Sequence, residues 1–458
     1  MTDSKQYRGL AWMAALALFM QTLDATILNT ALPKISESLN ESPLEMQLAV
    51  ISYALTVALF IPLSGWLADK YGTLVIFRSS IIIFVLGSIA CAMSQTLNFL
   101  IFARVVQGIG GALMMPVARL SILRSVPKKH LLYVWNLMAM AGLLGPILGP
   151  ILGGWFVTYA TWHWIFLINI PIGLLGVAVA GLYMPNVAMP VQALDWKGFF
   201  LFSAGLVGVT LGLDLIADQQ SKALFALSIL LLGFIFLFLY SIYAKRVERP
   251  LLPFNLFNIR TFRIGIFANL LIRLCGSGVP FLLPIMLQIS FEYSAEMTGW
   301  LLAPIALSSV LIKPCVSKVL HGIGYKLTLI LTAIVLTLSI ALMGALTPQT
   351  SIWALVSVLG LYGACMSIIF TATNTLTISE LSQEQASAGS TTLSVVQQMG
   401  IGVGIATASV ILGGFRTQLS HQQLQDAFSY TYFSVALFGL LLVWILFYMK
   451  KQDGENLK

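Results

Sequence analysis

Apolar runs long enough to cross a bilayer recur down this chain, separated by short polar connections. About fourteen are legible, near 10–32, 46–67, 76–94, 98–118, 134–158, 163–184, 197–216, 222–243, 262–289, 298–318, 327–346, 352–378, 391–414 and 428–449. A helix needs about 20 predominantly apolar residues to span the hydrocarbon layer, so each run predicts one transmembrane helix. The first run, from about Leu10 to Leu32, is too long for a signal-peptide core and lacks a small-residue cleavage site, so it is expected to remain as the first span.

Within the fifth run the pattern changes. Gly142, Gly145, Gly149 and Gly153 fall at i, i+3, i+7 and i+11 and line one helical face without side chains. Another helix can approach such a face very closely. Pro146 and Pro150 each remove a backbone donor, so this helix is expected to bend or break. A smooth, kinked helix suits a sliding interface, and it equally suits a well-packed membrane helix that tolerates its prolines.

The polar connections carry a topology signal. With the N-terminus inside, the inner connections hold Lys5, Arg8, Lys70, Arg124, Lys128, Lys129, Lys245, Arg246, Arg249, Arg260, Arg263, Lys326, Lys450 and Lys451, whereas the outer ones keep Lys34, Lys222 and Arg416. This bias predicts a multi-pass protein of a bacterial-type inner (plasma) membrane with both termini cytoplasmic. The longest inner connections, near 185–196 and 245–261, bracket two spans. The layout is therefore a six-helix bundle over 1–190, a two-helix insert over 191–250 and a second six-helix bundle over 251–458, as in transporters built from repeats with a midplane site. A faint internal echo supports the repeat: Gly72-Thr73-Leu74 follows the second span, and Gly324-Tyr325-Lys326 follows its counterpart.

Composition agrees with an integral membrane protein, with 58% hydrophobic residues, 9% charged residues and a mean hydropathy of +0.91. Soluble domains carry roughly a quarter charged residues. The net charge of +8 is spread over connections rather than gathered in a patch with interleaved aromatics, which excludes nucleic acid as the expected partner. Cys91, Cys275, Cys315 and Cys365 form no CxxC pair, and His130, His163, His321 and His421 are scattered, so neither a disulfide framework nor a metal centre is expected. No GxxxxGK[ST] loop, HExxH helix or nucleophile–base set occurs, which argues against ATP as energy source and against an enzyme.

Charges inside spans are costly and mark function by default. Asp24 lies in the first span with Gln21 three residues earlier on the same face, a candidate partner. A desolvated carboxyl either exchanges a proton near neutral pH or stays ionised against a fixed cation. Arg104, in the fourth span, shares a face with Gln107, Gly108 and Gly111. Asp214 lies nearer the end of the seventh span and reads as interfacial. Arg273 precedes Gly276, Ser277, Gly278, Pro280 and Pro284 in an irregular ninth span, and Lys313-Pro314 predicts similar irregularity in the tenth. Gln21, Gln107, Arg273, Gln288, Lys313, Asn374 and Gln397 are the candidates for a substrate cavity, each equally able to act as glue between helices. Asp69 and Lys70, in a tight connection between Gly65 and Gly72, are placed to latch one conformation by charge pairing.

Five stretches together resemble the major facilitator superfamily, and within it the fourteen-span drug–proton antiporters. GWLADKYG, from Gly65, resembles the loop motif between spans two and three, and RVVQGIGGA, from Arg104, the span-four motif. GPILGPILGG, from Gly145, resembles the span-five antiporter motif; LDATILNTALP, from Leu23, and WHWIFLINIPIG, from Trp162, resemble hallmarks of the fourteen-span members. The resemblance runs over nearly the whole chain. It implies an all-α major facilitator fold, two six-helix halves with a two-helix insert, rocking about a central cavity. It also implies a latch at Asp69 and Lys70, proton coupling through Arg104 with Asp24 as the membrane carboxylate, and a flexible interface at Gly145, Pro146, Gly149, Pro150, Gly153 and Gly154. Four positions depart from the pattern: Thr73 and Leu74 stand where basic residues usually follow the loop motif, with Arg78 further on; His163 replaces arginine; and Asn136 replaces a glycine. The latch is then weaker or rebuilt with Arg78.

The expected function is efflux of amphipathic or cationic drugs driven by the proton gradient, with no cofactor, acting as a monomer on small-molecule substrates and protons in the lipid bilayer. The alternative is proton-driven export of one metabolite, such as an amino acid, siderophore or organic anion, which Arg273 and Lys313 would suit. A non-transporting receptor is a third, weaker reading.

Overall fold

In a computed structural model the chain is described for residues 7–191, 193–217, 223–247, 250–418, 423–450 and 452–453. Lys5, Lys222, Arg249, His421 and Lys451 lie outside the described residues, as do the side chains of Lys128, Lys129, His130 and Asn136. Each predicted span is helical over most of its length. In order these are α1 (Arg8–Leu39), α2 (Gln47–Tyr71), α3 (Thr73–Ala92), α4 (Leu97–Ser125), α5 (Lys128–Tyr159), α6 (Trp164–Leu167) with α7 (Asn169–Tyr183), α8 (Trp196–Ala217), α9 (Ala223–Ala244), α10 (Arg260–Gly276) with α11 (Val279–Ile285), α12 (Ala295–Ile323), α13 (Tyr325–Gly344), α14 (Ile352–Ile378), α15 (Gln383–Gln418) and α16 (Leu424–Phe447). Among the described residues, thirteen spans are long and apolar enough to cross a membrane, and Leu144–Tyr159 within α5 is a shorter apolar helix. The described residues form an all-helical fold, the architecture in which a membrane span satisfies most of its backbone groups within itself.

Local chemistry sets the helix ends. Thr96 and Ser351 accept from Phe99 N and Ala354 N at the starts of α4 and α14. Between α2 and α3 the chain turns at Gly72, φ +95° and ψ 148°; between α12 and α13 it turns at Gly324, φ +89° and ψ 158°. These two positions carry the faint sequence echo, and they share a backbone conformation that side-chain-bearing residues avoid.

At the prolines the outcome is an unbroken helix rather than a break. Pro146 and Pro150 do not break α5, and Lys313-Pro314 does not interrupt α12, which also passes through Pro304. Neighbouring helices in a membrane bundle compensate the freed carbonyls. The ninth span is irregular as anticipated: α10 ends at Gly276, α11 resumes at Val279, and a π-helical turn, Met286–Ser290, follows.

The chain divides into two compact units. One runs to Leu194 and takes in Ser294–Ala303; the other comprises Asp195–Tyr293 and the chain from Pro304 onward. In the second unit α8 and α9 meet through glycines: a Cβ on Gly212 would lie 2.6 Å from Leu230 Cα, and one on Gly208 would lie 2.8 Å from Gly233 Cα. Asp195 ties this helix pair to the chain that follows it, accepting from Gly198 N (2.8 Å), Tyr243 Oη (2.8 Å) and Leu251 N (3.3 Å).

Candidate functional site

The polar residues of the first unit converge. Asp24 of α1 and Arg104 of α4 are each 1% exposed. Arg104 Nη1 donates to Asp24 Oδ2 at 2.7 Å and to Gln107 Oε1 at 2.6 Å, while its Nε donates to the Ala49 carbonyl at 3.0 Å. The guanidinium carbon sits 4.3 Å from the ring centroid of Tyr53. Gln107 Nε2 donates to Asp24 Oδ1 at 2.7 Å and to Ser88 Oγ at 2.8 Å. Asn169 Nδ2 reaches the same two acceptors at 3.3 Å each. Five helices, α1, α2, α3, α4 and α7, therefore supply one sealed network in which the Arg104 cation and two amide donors meet the Asp24 carboxylate.

Why these side chains meet follows from the glycines around them. A Cβ on Gly110 would lie 2.5 Å from Phe84 N, and one on Gly87 would lie 2.5 Å from Gln107 N, so α3 and α4 interlock at backbone distance. Gly111 and Gly108 face Tyr53 and Thr56 of α2 in the same way. That approach brings Ser88 to Gln107 and Tyr53 beneath Arg104.

Gln21 is not the partner of Asp24. Its amide donates to the Gly111 carbonyl at 3.3 Å, and the donors to Asp24 come from α4 and α7 instead. A neighbour one turn away on the same helix lies beside a side chain; a residue across a helix contact can point directly at it. Asn169, Ser88, Tyr53 and the Ala49 carbonyl escaped the sequence reading of this site, although Asn169 lies inside WHWIFLINIPIG. Arg119, near the far end of α4, was also passed over, and its Nε is buried without an acceptor.

The glycine face of α5 packs on α1. Thr26 Oγ1 donates to the Gly145 carbonyl at 3.2 Å, and a Cβ on Gly145 or Gly149 would overlap Thr22 or Thr26. A Cβ on Gly153 would lie 2.5 Å from the Ile27 carbonyl. Gly154 turns to the start of α12, where a Cβ would overlap the Ala295 carbonyl, and Gly299 returns the contact against the Pro150 carbonyl. Pro146 stands on α5 partly exposed, while Pro150 is buried. Asp24 thus sits on α1 between the two threonines that touch the stripe.

In the connection after α2, Asp69 pairs with Arg124 of α4, not with Lys70 or Arg78. Lys70 stacks over the rings of Trp66 (4.7 Å) and Tyr71 (5.2 Å), and Arg78 donates to the Val177 carbonyl of α7 at 3.0 Å. Thr73, which replaces a basic residue, bonds the Pro185 carbonyl (2.7 Å) and Val187 N (3.1 Å), and Asn186 Oδ1 accepts from Leu74 N at 3.1 Å. A Cβ on Gly65 would meet nothing within 4 Å.

The second unit gathers some of its candidates. Gln397 Nε2 of α15 donates to Asn269 Oδ1 of α10 (3.1 Å) and to Asn374 Oδ1 of α14 (2.8 Å). Arg273 lies one turn further along α10, its guanidinium 4.1 Å from the ring centroid of Phe370. Gln288 lies in the π-helical turn, and Lys313 is exposed on α12. No group of three or more metal-ligating side chains occurs among the described residues.

The sequence profile of the Major Facilitator Superfamily matches residues 14–405. The chain belongs to that superfamily. Among curated relatives of this major facilitator protein, "Probable transport protein HsrA" of Haemophilus influenzae is 56% identical over 458 residues, covering 100% of this chain and 99% of the relative. "Putative multidrug resistance protein MdtD" of Pectobacterium atrosepticum is 39% identical over 440 residues, covering 95% and 94%. Solved structures share the fold: a D-xylose–proton symporter has a TM-score of 0.73 at 12% identity over 97% of this chain and 98% of its own. The human organic anion transporter MFSD10 has a TM-score of 0.62 at 13% identity over 96% and 99%. A major facilitator protein of this kind is a multi-pass membrane transporter and not an enzyme.

Proposed function

We propose that this transporter is a proton-coupled antiporter of the inner membrane, exporting small amphipathic molecules by alternating access, with both termini in the cytoplasm. One observation carries the reading: Asp24, on the helix that packs against the glycine face of α5, forms a closed, buried ion pair with Arg104 of α4. A proton delivered to Asp24 removes the charge that Arg104 answers, and a buried cation left uncompensated is strongly disfavoured. Relief requires α1 and α4 to shift, and α1 shifts along a surface made of Gly145, Gly149 and Gly153, where it must release the seats of Thr22 and Thr26 and the bond from Thr26 to the Gly145 carbonyl. In this reading Asp24 carries the proton, Arg104 responds to it, Gln107 and Asn169 hold the carboxylate between cycles, and Asp69 with Arg124 latches one conformation.

The cargo reading as amphipathic drugs draws its support from the names of the MdtD relatives. Export of a single metabolite is the second reading, and Arg273 favours it. The test is purified protein in liposomes with an imposed pH gradient, recording proton flux as candidate substrates are added. Substrate-dependent proton movement opposite in direction to the substrate is expected. Substrate movement indifferent to the gradient would overturn the antiporter.

A further inference from the structure

The two units treat a membrane-embedded arginine in opposite ways. Arg104 has a carboxylate, an amide oxygen and a backbone carbonyl as acceptors, with a tyrosine ring below. Arg273 has the Phe370 ring at 4.1 Å and Tyr362 nearby, but its Nε is buried without an acceptor, and no carboxylate pairs with it among the described residues. Its position is not peripheral. It falls in the middle of the 262–289 span, and none of the six C-terminal spans contains an Asp or Glu between its ends. Arg119 shares the unmet Nε but lies near a helix end. A guanidinium offers five donors and cannot shed its charge, so one set within a membrane span without an anion is an incomplete site.

The surroundings look built to hold that side chain in place. A Cβ on Gly400 of α15 would lie 2.7 Å from Arg273 Cβ, and one on Gly404 would lie 2.5 Å from the Arg273 carbonyl, so α15 closes on the arginine stem. Phe370 and Asn374 stand one turn apart on α14, and Gln397 joins Asn374 to Asn269. Phe370, Asn374, Gln397 and Arg273 are all partly exposed, whereas Asn269, Ile272 and Cys275 behind them are buried. The layer presents a fixed cation, an aromatic face and amides side by side. A ligand with an anionic head and an apolar or aromatic body satisfies all three; a cationic ligand would meet like charge in a medium of low dielectric.

We propose that the transported molecule is an organic anion whose carboxylate, sulfonate or phosphate-type head is bound by Arg273, with Phe370, Asn374 and Gln397 lining the same site. The assignment rests on the transporter reading but not on proton coupling. It is tested with three probes that share one body: naphthalene-2-sulfonate, naphthalene-2-methanol and 2-naphthyltrimethylammonium. Saturable binding is measured on detergent-solubilised protein, and movement is measured in liposomes with and without a pH gradient. The sulfonate is expected to bind and move in preference to the other two. Arg273→Gln should raise its half-saturation roughly tenfold to a hundredfold, the range for losing a charge-assisted hydrogen bond, without lowering the thermal midpoint. Arg273→Lys should recover part of the affinity, and Arg273→Glu should move the preference toward the ammonium probe.

Absence of saturable sulfonate binding, preference of the wild type for the ammonium probe, or an unchanged half-saturation in Arg273→Gln each overturns the anion site. Sulfonate movement that ignores the pH gradient supports the anion site while overturning the antiporter. Gradient-driven movement of the ammonium probe alone does the reverse.

Discussion

Replacing Asp24 by asparagine keeps the shape of the side chain and removes its charge, which mimics the protonated state required by the proposed cycle. The network shows what that costs. Asp24 takes donors on both oxygens, Arg104 on Oδ2 and Gln107 with Asn169 on Oδ1. An asparagine whose oxygen faces Arg104 turns its NH2 toward Gln107 Nε2 and Asn169 Nδ2, both donors. Gln107 cannot simply flip, because its oxygen accepts from Arg104 at 2.6 Å. At least one donor is left unmet, worth about 1–3 kcal/mol, and Arg104 loses its counter-charge; breaking a buried pair from one side costs about 3–5 kcal/mol in all. Asp24→Asn should therefore insert into the membrane, unfold at a markedly lower temperature and lose pH-driven transport.

The decisive comparison is the double variant Asp24→Asn with Arg104→Gln. Removing both charges leaves no stranded cation, so most of the stability should return, giving a coupling of about 3 kcal/mol in the double-mutant cycle. Transport driven by a pH gradient should stay lost, because no group remains to carry the proton. The assays are the unfolding midpoint of detergent-solubilised protein and substrate flux in liposomes. A double variant that is stable and still accelerated by the gradient would reduce the pair to a structural fixture. An Asp24→Asn protein as stable as the wild type would show that the network is not closed as described.

Three further outcomes follow from the packing. Gly153→Ala puts a methyl 2.5 Å from the Ile27 carbonyl; it should cost about 1–3 kcal/mol and slow transport severely while membrane insertion persists, and full activity measured in liposomes would leave the α1–α5 contact a static one. Gly72→Ala meets both Asn186 and a φ of +95°, so its thermal midpoint should fall by the equivalent of about 1–3 kcal/mol; adding Asn186→Ala relieves the overlap but not the backbone, and complete rescue would count against the strain argument. Asp195→Ala removes an acceptor for Gly198 N, Tyr243 Oη and Leu251 N, and limited proteolysis should then open the chain near residue 250 sooner than in the wild type.

What the sequence reveals and conceals here has a physical pattern. Spans are legible because hydrocarbon imposes one requirement, a long apolar run, that depends on no distant residue. The glycine face of α5 is legible because helical spacing alone fixes which residues share a face. The partners of Asp24 are not, since Gln107 and Asn169 lie 83 and 145 residues away and only tertiary packing brings them in. The same limit hides Arg124 as the partner of Asp69, 55 residues on, behind the nearer but wrongly directed Lys70 and Arg78. Prolines mislead in the opposite sense: the local rule says break, and the surrounding bundle overrides it in α5 and α12.

In the two-repeat layout expected from the sequence, the like turns at Gly72 and Gly324 make α12 the counterpart of α2, and α10 the counterpart of α1. Asp24 lies in the interior of α1 and Arg273 in the last turn of α10, and their charges are opposite. The acid is already answered by Arg104; the base meets an aromatic ring and no carboxylate among the described residues. If the repeats arose from one unit, the division of labour lies in that difference. A carboxylate held inside its own bundle can respond to a proton without meeting cargo, while an unanswered guanidinium in the other bundle is free to respond to cargo without meeting a proton. The proposed exchange then requires only that the two responses favour opposite states of the same transporter, since a ligand shifts an equilibrium by no more than its difference in affinity for the two states.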